Sequence, residues 1–288
     1  MAGASALTLE RPGDPATFKS IAAPFLCAHE AENNVAIGIT EALIAGRDYG
    51  PTYFGVVRDA GQVVGVAMRA GLYVIVTTGT RADALPLLID DAVRTTPDAP
   101  GIVGAKELAR RAVELWTKKT AQRAHVQMAE RIYRLARVIR PRPAAGHIRV
   151  ATLSDLDLVA SWFHAFVLEA QPWLDDSLGT SRANAERWIR SGWFRVWDDA
   201  GVVSMAGASG ATPHGVRIGA VYTPPDKRGR GYASNLVAAM SQEQLDSGRT
   251  FCFLYTDLAN PTSNKIYMDI GYEPVIDVDQ WAFEPPGP

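Results

Sequence analysis

The residues from Val221 to Ser234 read Val-Tyr-Thr-Pro-Pro-Asp-Lys-Arg-Gly-Arg-Gly-Tyr-Ala-Ser, a set of types better suited to holding an anion than to filling a core. Ile218 to Tyr222 is an apolar run of strand character, and Pro224 and Pro225 must end it because proline brings no backbone donor. Arg228, Gly229, Arg230 and Gly231 then form a basic turn that is poor in side chains. After it, Ala233, Leu236, Val237 and Met240 recur at the spacing of one helix face. A strand, a bare turn and a helix in this order bring free N–H groups and the positive end of a helix dipole to one place, and the glycines let a pyrophosphate come close to the backbone. The plainer alternative is a glycine-rich loop with solvated arginines, and the order of the three elements favours the anion site over it.

Two familiar phosphate motifs are absent: there is no G-x-x-x-x-G-K-[ST] and no G-x-G-x-x-G. What the stretch resembles is the R/Q-x-x-G-x-G/A signature of the GNAT acetyltransferase superfamily, which stands here as Arg228-Gly229-Arg230-Gly231-Tyr232-Ala233. The resemblance implies acetyl-CoA as co-substrate, with Arg228 to Ser234 around its pyrophosphate. It also implies that Val221, Tyr222 and Thr223 of the preceding strand run beside pantetheine, Val221 and Thr223 pairing with it like a short extra strand, while the Val221 N–H polarises the acetyl oxygen.

A second order, Asn260, Ser263, Tyr267 and Gly271-Tyr272, resembles the next GNAT motif. Asn260 is placed to cap a helix with Pro261 at its first position, and Ser263 and Tyr267 share a face because they are four residues apart. The resemblance puts Asn260 and Ser263 on the pantetheine region and Tyr267 near the sulfur as general acid, its phenol proton setting the alkaline limb of the rate profile. The competing reading of Tyr267 is a core aromatic with its hydroxyl at the rim.

Acetyl transfer to an amine needs a neutral nucleophile, a polarised carbonyl and a proton for the departing thiolate. A lysine-like amine is neutral in only roughly one molecule in a few thousand at pH 7, so a base is of use. Where some GNAT enzymes carry a glutamate base, this chain has Arg217, and no base can be carried across. Glu169 is the candidate in its place, against the reading of a solvated carboxylate at a helix end. His164 fits a proton relay or a satisfied core histidine equally. Trp162, Phe166, Trp173, Trp188 and Trp193 could line an acceptor pocket, although aromatics at such spacing more often fill a core. No spacing of metal-ligand type occurs, so no metal is expected.

The elements that must position these residues can be read in order. Pro15 to Ala28 and Asn34 to Ala45 have helical periodicity; Thr52 to Val57 and Val63 to Met68 are strands joined by the turn Asp59-Ala60-Gly61, and Leu72 to Thr77 is a third. Thr80 with Asp83 reads as a capping box before a helix through Leu88, Thr95 to Gly101 as a loop, and Ala105 to Thr120 as a helix. His125 to Ile139 fits a helix by periodicity and strands by the repeat described next. In the second half the reading is a strand from Ile148, a capping box of Ser154 with Asp157, a helix through Trp162 and Phe166, and a polar helix around Ala183 to Arg190. Strands follow at Trp193 to Trp197 and Val202 to Ala206, and another at Thr250 to Thr256 after the motif.

Phe54, Val56, Asp59, Ala60, Gly61 and Val63 match Phe194, Val196, Asp199, Ala200, Gly201 and Val203 at one constant offset, which with the shared order of elements points to a duplicated domain. The prolines of 140–146 suit neither a helix interior nor a central strand and mark a linker. The expected organisation is a domain at 1–140, a linker at 141–147 and a domain at 148–288. The expected fold is α/β (α+β), two tandem GNAT-like domains, each a mixed, mostly antiparallel sheet flanked by helices. Thr78-Gly79-Thr80-Arg81-Ala82-Asp83 lacks the paired glycines and the leading arginine, so the first domain reads as a degenerate copy.

Charge announces no partner: a net charge of -2 with 21% charged residues gives no basic excess for nucleic acid. No apolar run is long enough to span a bilayer, and the start of the chain has no secretory pattern, so a cytoplasmic protein with reduced Cys27 and Cys252 is expected. The function read here is an acetyl-CoA-dependent N-acetyltransferase acting directly on an amine of a small molecule or protein, as a monomer or a homodimer. A non-catalytic CoA-binding or regulatory module is the rival. An arginine/glycine nucleic-acid binder is disfavoured because the basic residues make a single turn.

Overall fold

The computed structural model describes residues 7–285, and by contact these fall into two units: the chain up to Ile132 together with the residues from Val275, and Tyr133–Pro274. The first unit holds β1 (Thr8–Glu10), α1 (Pro15–Cys27), α2 (Asn34–Ile44), β2 (Thr52–Asp59), β3 (Gln62–Ala70), β4 (Val74–Val76), α3 (Leu85–Thr95), β5 (Gly101–Ala105) and α4 (Lys106–Thr120). β6 (Arg123–Leu135) crosses the division. The second unit holds β7 (His147–Val150), α5 (Leu156–Ala170), α6 (Leu178–Arg190), β8 (Phe194–Asp198), β9 (Val202–Ser209), β10 (Gly215–Tyr222), α7 (Tyr232–Asp246), β11 (Phe251–Asp257) and α8 (Pro261–Asp269). The last strand, β12 (Glu273–Glu284), begins there and ends in the first unit.

Within the first unit, β1-β2-β3-β4-β5-β12 are neighbours in that order, and within the second β11-β10-β9-β8-β7. The pairs are antiparallel except β4 with β5 and β10 with β11, so each unit has a mixed, mostly antiparallel sheet. Helices cover it. In the first unit Phe18, Ala22 and Leu26 of α1, spaced one helix turn apart, are buried against Phe54, Val56, Val66 and Met68. In the second, Val159, Ala160 and Phe163 of α5 pack with Ala185 and Ile189 of α6 on one face, and Leu236, Val237 and Met240 of α7 fill the other.

The repeat is visible in backbone detail. The β2–β3 turn has positive φ at Ala60 and Gly61, the β8–β9 turn at Ala200 and Gly201, and the register shifts at Val57/Arg58 and at the matching Trp197/Asp198. Two successive residues with positive φ give the turn whose twist suits a hairpin, and alanine accepts the strain there.

Several expectations need revision. β5 occupies Gly101–Ala105, where a loop had been expected to lead into the helix, and β1 and β12 carry no sequence signal strong enough to be read. β12 pairs β5 from Val278↔Ala105 to Ala282↔Gly101, so the residues from Val275 pack with the first unit rather than with 148–274. Asp277 and Asp279 interrupt its apolar pattern, and Asp277 is held by a bidentate pair with Arg131. Of the two readings left open for 125–139, the strand is the one found, as far as Leu135. α3 has no side-chain cap: Thr80 bonds to Val66 instead and Asp83 pairs with Arg81. The capping box of the second unit is Thr152 with Asp155, not Ser154 with Asp157, because Asp155 also binds Arg149. The proline-rich linker is pinned: Trp197 donates to the Ala145 carbonyl at 2.7 Å and Asn235 to that of Arg142 at 3.0 Å.

Candidate functional site

β10 carries one residue more than its neighbour at a single point. Its register with β9 passes from Gly219↔Gly207 to Tyr222↔Met205, so Ala220 and Val221 stand against Ala206 alone, and Ala220 has φ of 48°. The extra residue resets the alternation. Val216 and Ile218 face α7, whereas Ala220 and Tyr222 both belong to the core under α5 and α6, and Val221 returns to the α7 side. Such a bulge turns backbone groups out of the ladder.

Beside the bulge the sheet opens. β10 and β11 pair only at Gly215↔Phe251, Val216↔Cys252 and Arg217↔Phe253, although β10 continues to Tyr222 and β11 to Asp257. Parallel strands that part in this way leave unpaired edges that an extended polar chain can meet.

Past the strand, Pro225–Lys227 makes one short helical turn and the basic turn follows, with Gly229 at φ 77° and Gly231 at φ 81°. Gly231 is the N-cap of α7 and offers no side-chain cap. The N–H groups of residues 229–234, covering Gly229, Arg230, Gly231, Tyr232, Ala233 and Ser234, meet no acceptor among the described residues; the next one, Asn235, bonds to the Gly231 carbonyl. Six consecutive donors stand together at the positive end of a fifteen-residue helix, an arrangement suited to an anion. Arg228, though exposed, folds back on the turn: its Nε donates to the Thr223 carbonyl at 2.8 Å, and its guanidinium lies 5.8 Å from the centre of the Tyr222 ring. Tyr232 donates to Asp199 at 2.6 Å, which fixes the first turn of the helix to the β8–β9 hairpin.

The corresponding turn of the first unit is closed. Thr77, Thr80 and Arg81 donate to the carbonyls of Val66, Thr77 and Val64, and Thr78 donates to Asn33 Oδ1 at 2.8 Å. A methyl at Gly79 would sit 3.2 Å from Phe25 and from His29. β4 and β5 stay paired along the whole of β4.

On α8, Asn260 caps the helix by accepting from the Ser263 N–H at 3.0 Å, and Pro261 is its first residue. Ser263 is half-buried and Tyr267 buried. The Tyr267 ring packs edge-on to Tyr272 at 6.0 Å, and its hydroxyl has no hydrogen-bond partner among the described residues. Burial pushes its phenol up to about 12, so an alkaline limb set by its ionisation moves out of the ordinary assay range, contrary to the sequence expectation. Sequence reasoning missed Asn264. Its side chain donates to the carbonyls of Asp257 and Asn260 and accepts from Tyr133, tying the end of β11 to α8. Only its place four residues after the cap gave a signal.

Glu169 ends beside the turn: Arg228 Nη2 donates to both its carboxylate oxygens. Burial and the nearby Glu169 raise the Tyr222 phenol. His164 bonds through Nδ1 to Asp176 at 2.7 Å, and Asp176 also accepts from Ser181, so this histidine holds the start of α6. Trp188 packs among Phe163, Phe194 and Trp193 as core, while Trp162 lies 6.2 Å from Tyr222. No cluster of metal-ligating side chains occurs among the described residues.

A family model described as FR47-like protein matches residues 199–282, the span that contains the bulge, the turn and α8. Among solved structures, a Drosophila protein aligns over 97% of this chain and 99% of its own with a TM-score of 0.69 at 14% identity. A GCN5-related N-acetyltransferase from Sphaerobacter thermophilus aligns over 98% and 96% with a TM-score of 0.64 at 16% identity. A tandem GNAT protein from the clavulanic acid biosynthesis pathway aligns over 98% and 99% with a TM-score of 0.57 at 13% identity. No curated protein matches. Likeness at such identities is likeness of fold, and the fold is that of two GNAT domains in tandem.

Proposed function

We propose that the second unit is an acetyl-CoA-dependent N-acetyltransferase that moves the acetyl group directly to an amine, and that the first unit is a degenerate copy without a CoA site. The observation that carries this reading is the run of six unengaged N–H groups at residues 229–234, next to a bulged strand that parts from its neighbour. The residues fit a CoA pyrophosphate: Gly229 has no atom within 4 Å of where a side chain would begin, and Gly231 only Asn235 and Ala144 at ordinary contact distance. When bound, acetyl-CoA supplies an acetyl group activated as a thioester. The chain's own part is to hold and to stabilise. Residues 229–234 hold the phosphates; Val221 and Thr223 orient the pantetheine arm, with Asn260 and Ser263 beyond it; the Val221 N–H polarises the acetyl oxygen, and Tyr267 faces the sulfur. The amine arrives neutral, forms the C–N bond as the C–S bond breaks, and gives up its surplus proton as the thiolate takes one. Two free cysteines suit a reducing, cytoplasmic setting.

A non-catalytic CoA-binding module is the second reading. It draws on one observation: the nearby titratable candidates are already engaged, Glu169 by Arg228 and His164 by Asp176. One experiment separates the two. Purified protein is titrated with CoA by calorimetry and then incubated with acetyl-CoA and a panel of amines while free thiol is recorded. Binding with amine-dependent thiol release supports the enzyme; binding without release from any amine supports the module; no binding removes both.

A further inference from the structure

Arg217 is a cation without a partner in a place where a cation is costly. It lies in β10 in register with Ser209 of β9 and Phe253 of β11, flanked by strands on both sides and only half exposed. Its side chain makes no hydrogen bond, ion pair or ring contact with any described residue. A guanidinium held partly out of water in this way loses hydration that no described residue replaces, and such a group is stabilised strongly when a carboxylate or phosphate arrives.

Three features give the position meaning. First, Arg217↔Phe253 is the last pair before β10 and β11 part, so Arg217 stands at the root of the opening. Second, strand alternation puts it opposite Val216 and Ile218, on the side of the sheet covered by α5 and α6, away from the α7 side that Val221 faces. Third, the next residue on that side is Gly219, around which no atom lies within 4 Å of where a side chain would begin, while Gly210 leaves the guanidinium room at 3.5 Å. An open space therefore separates a free guanidinium from the bulge at Ala220 and Val221, where the acetyl carbon would be presented.

We propose that Arg217 is the anchor for a carboxylate on the acceptor, which makes the substrate an amine that also bears a carboxyl group, of the amino-acid class. The inference rests on the acetyltransferase reading of this site. Arg217 and the bulge are three to four residues apart, roughly 10–13 Å along a strand, and the guanidinium lies beside Gly210 on the side away from the bulge, so the acceptor itself must span the distance. A spacer of several carbons between carboxylate and amine fits that distance. The same arginine disfavours polyamines, because a second ammonium would meet like charge.

The test uses matched acids and amides: 4-aminobutyrate, 5-aminopentanoate and 6-aminohexanoate, each with its amide. Each is titrated into CoA-saturated full-length protein, and thiol release from acetyl-CoA is measured with the same compounds. At least one acid should bind about 10- to 100-fold more tightly than its amide, the range for a hydrogen bond between charged groups. Arg217→Gln should remove that preference, Arg217→Lys should keep part of it, and CoA affinity should stay as in the wild type in both. The inference is overturned if no acid binds, if amides bind as well as acids, or if the preference survives Arg217→Gln. Acid-selective binding without thiol release would leave the carboxylate anchor standing and remove the acetyltransferase reading. Thiol release equal for acids and amides would do the reverse.

Discussion

Arg228 Nη2 donates to both carboxylate oxygens of Glu169, at 3.0 and 2.9 Å, so the leading arginine of the glycine-rich turn is tied to the end of α5. Both side chains are about half exposed, 48% and 51%, and an ion pair so open to water is worth roughly 0.2–1 kcal/mol. Its part is to orient Arg228 over Tyr222. Glu169→Gln should therefore change CoA affinity by a few-fold at most and kcat by less than about tenfold. Steady-state kinetics over pH 6–9 check this. A kcat loss of about 10² or more, with disappearance of an acidic limb, would instead identify Glu169 as the general base.

Gly231 and Arg230 test whether backbone or charge leads in anion binding. Gly231 has φ of 81°, where a branched side chain is strained, and any side chain would stand over N–H groups that face the ligand. Arg230 is exposed. Gly231→Val should weaken CoA binding more than Arg230→Ala, whose screened charge is worth about 0.2–1 kcal/mol. Calorimetry at moderate salt gives the ranking, and the reverse order counts against a backbone-led site.

The first unit should take no CoA. Asn33 occupies the Thr78 N–H and the Thr78 carbonyl, and Phe25 and His29 fill the space at Gly79. Titration should give one site per chain, and Gly231→Val should abolish most of the heat. A second site of comparable affinity that survives this substitution would show the first turn to be competent.

These contrasts explain what the sequence could disclose. The turn was legible because glycine and proline act locally: Pro224 and Pro225 end β10, and only glycine sits without strain at the φ of positions 229 and 231. Asn260 was legible as a cap for the same reason. β5 and β12 were not, since their partners are far apart in the chain and Gly101 and Asp279 have meaning only through the pairing itself. Nor was the closure of the first turn, which depends on Asn33 reaching Thr78 across forty-five positions. The engagement of Glu169 by Arg228, fifty-nine positions away, is hidden in the same manner.

Tyr267 gives the sharpest test of catalysis. Its hydroxyl has no partner within the described chain, so Tyr267→Phe should leave thermal stability and CoA affinity nearly unchanged. A merely structural tyrosine would make the same two predictions, and turnover decides between them. Burial raises the phenol to about 12, above the value near 8.5 of an ordinary thiol, so full proton transfer to the thiolate runs uphill. The hydroxyl then acts chiefly by hydrogen bonding to charge as it develops on sulfur, which places the expected loss in kcat near the lower end of general-acid effects, about 10². KM for acetyl-CoA should hold. The wild-type rate should rise with pH as the acceptor amine loses its proton and show no alkaline fall below about pH 11, because a raised phenol keeps its proton throughout that range. Full kinetics of the wild type and the Phe variant between about pH 6 and pH 11 measure each of these. A variant that turns over at the wild-type rate across that range would return Tyr267 to the role of a core aromatic packed on Tyr272.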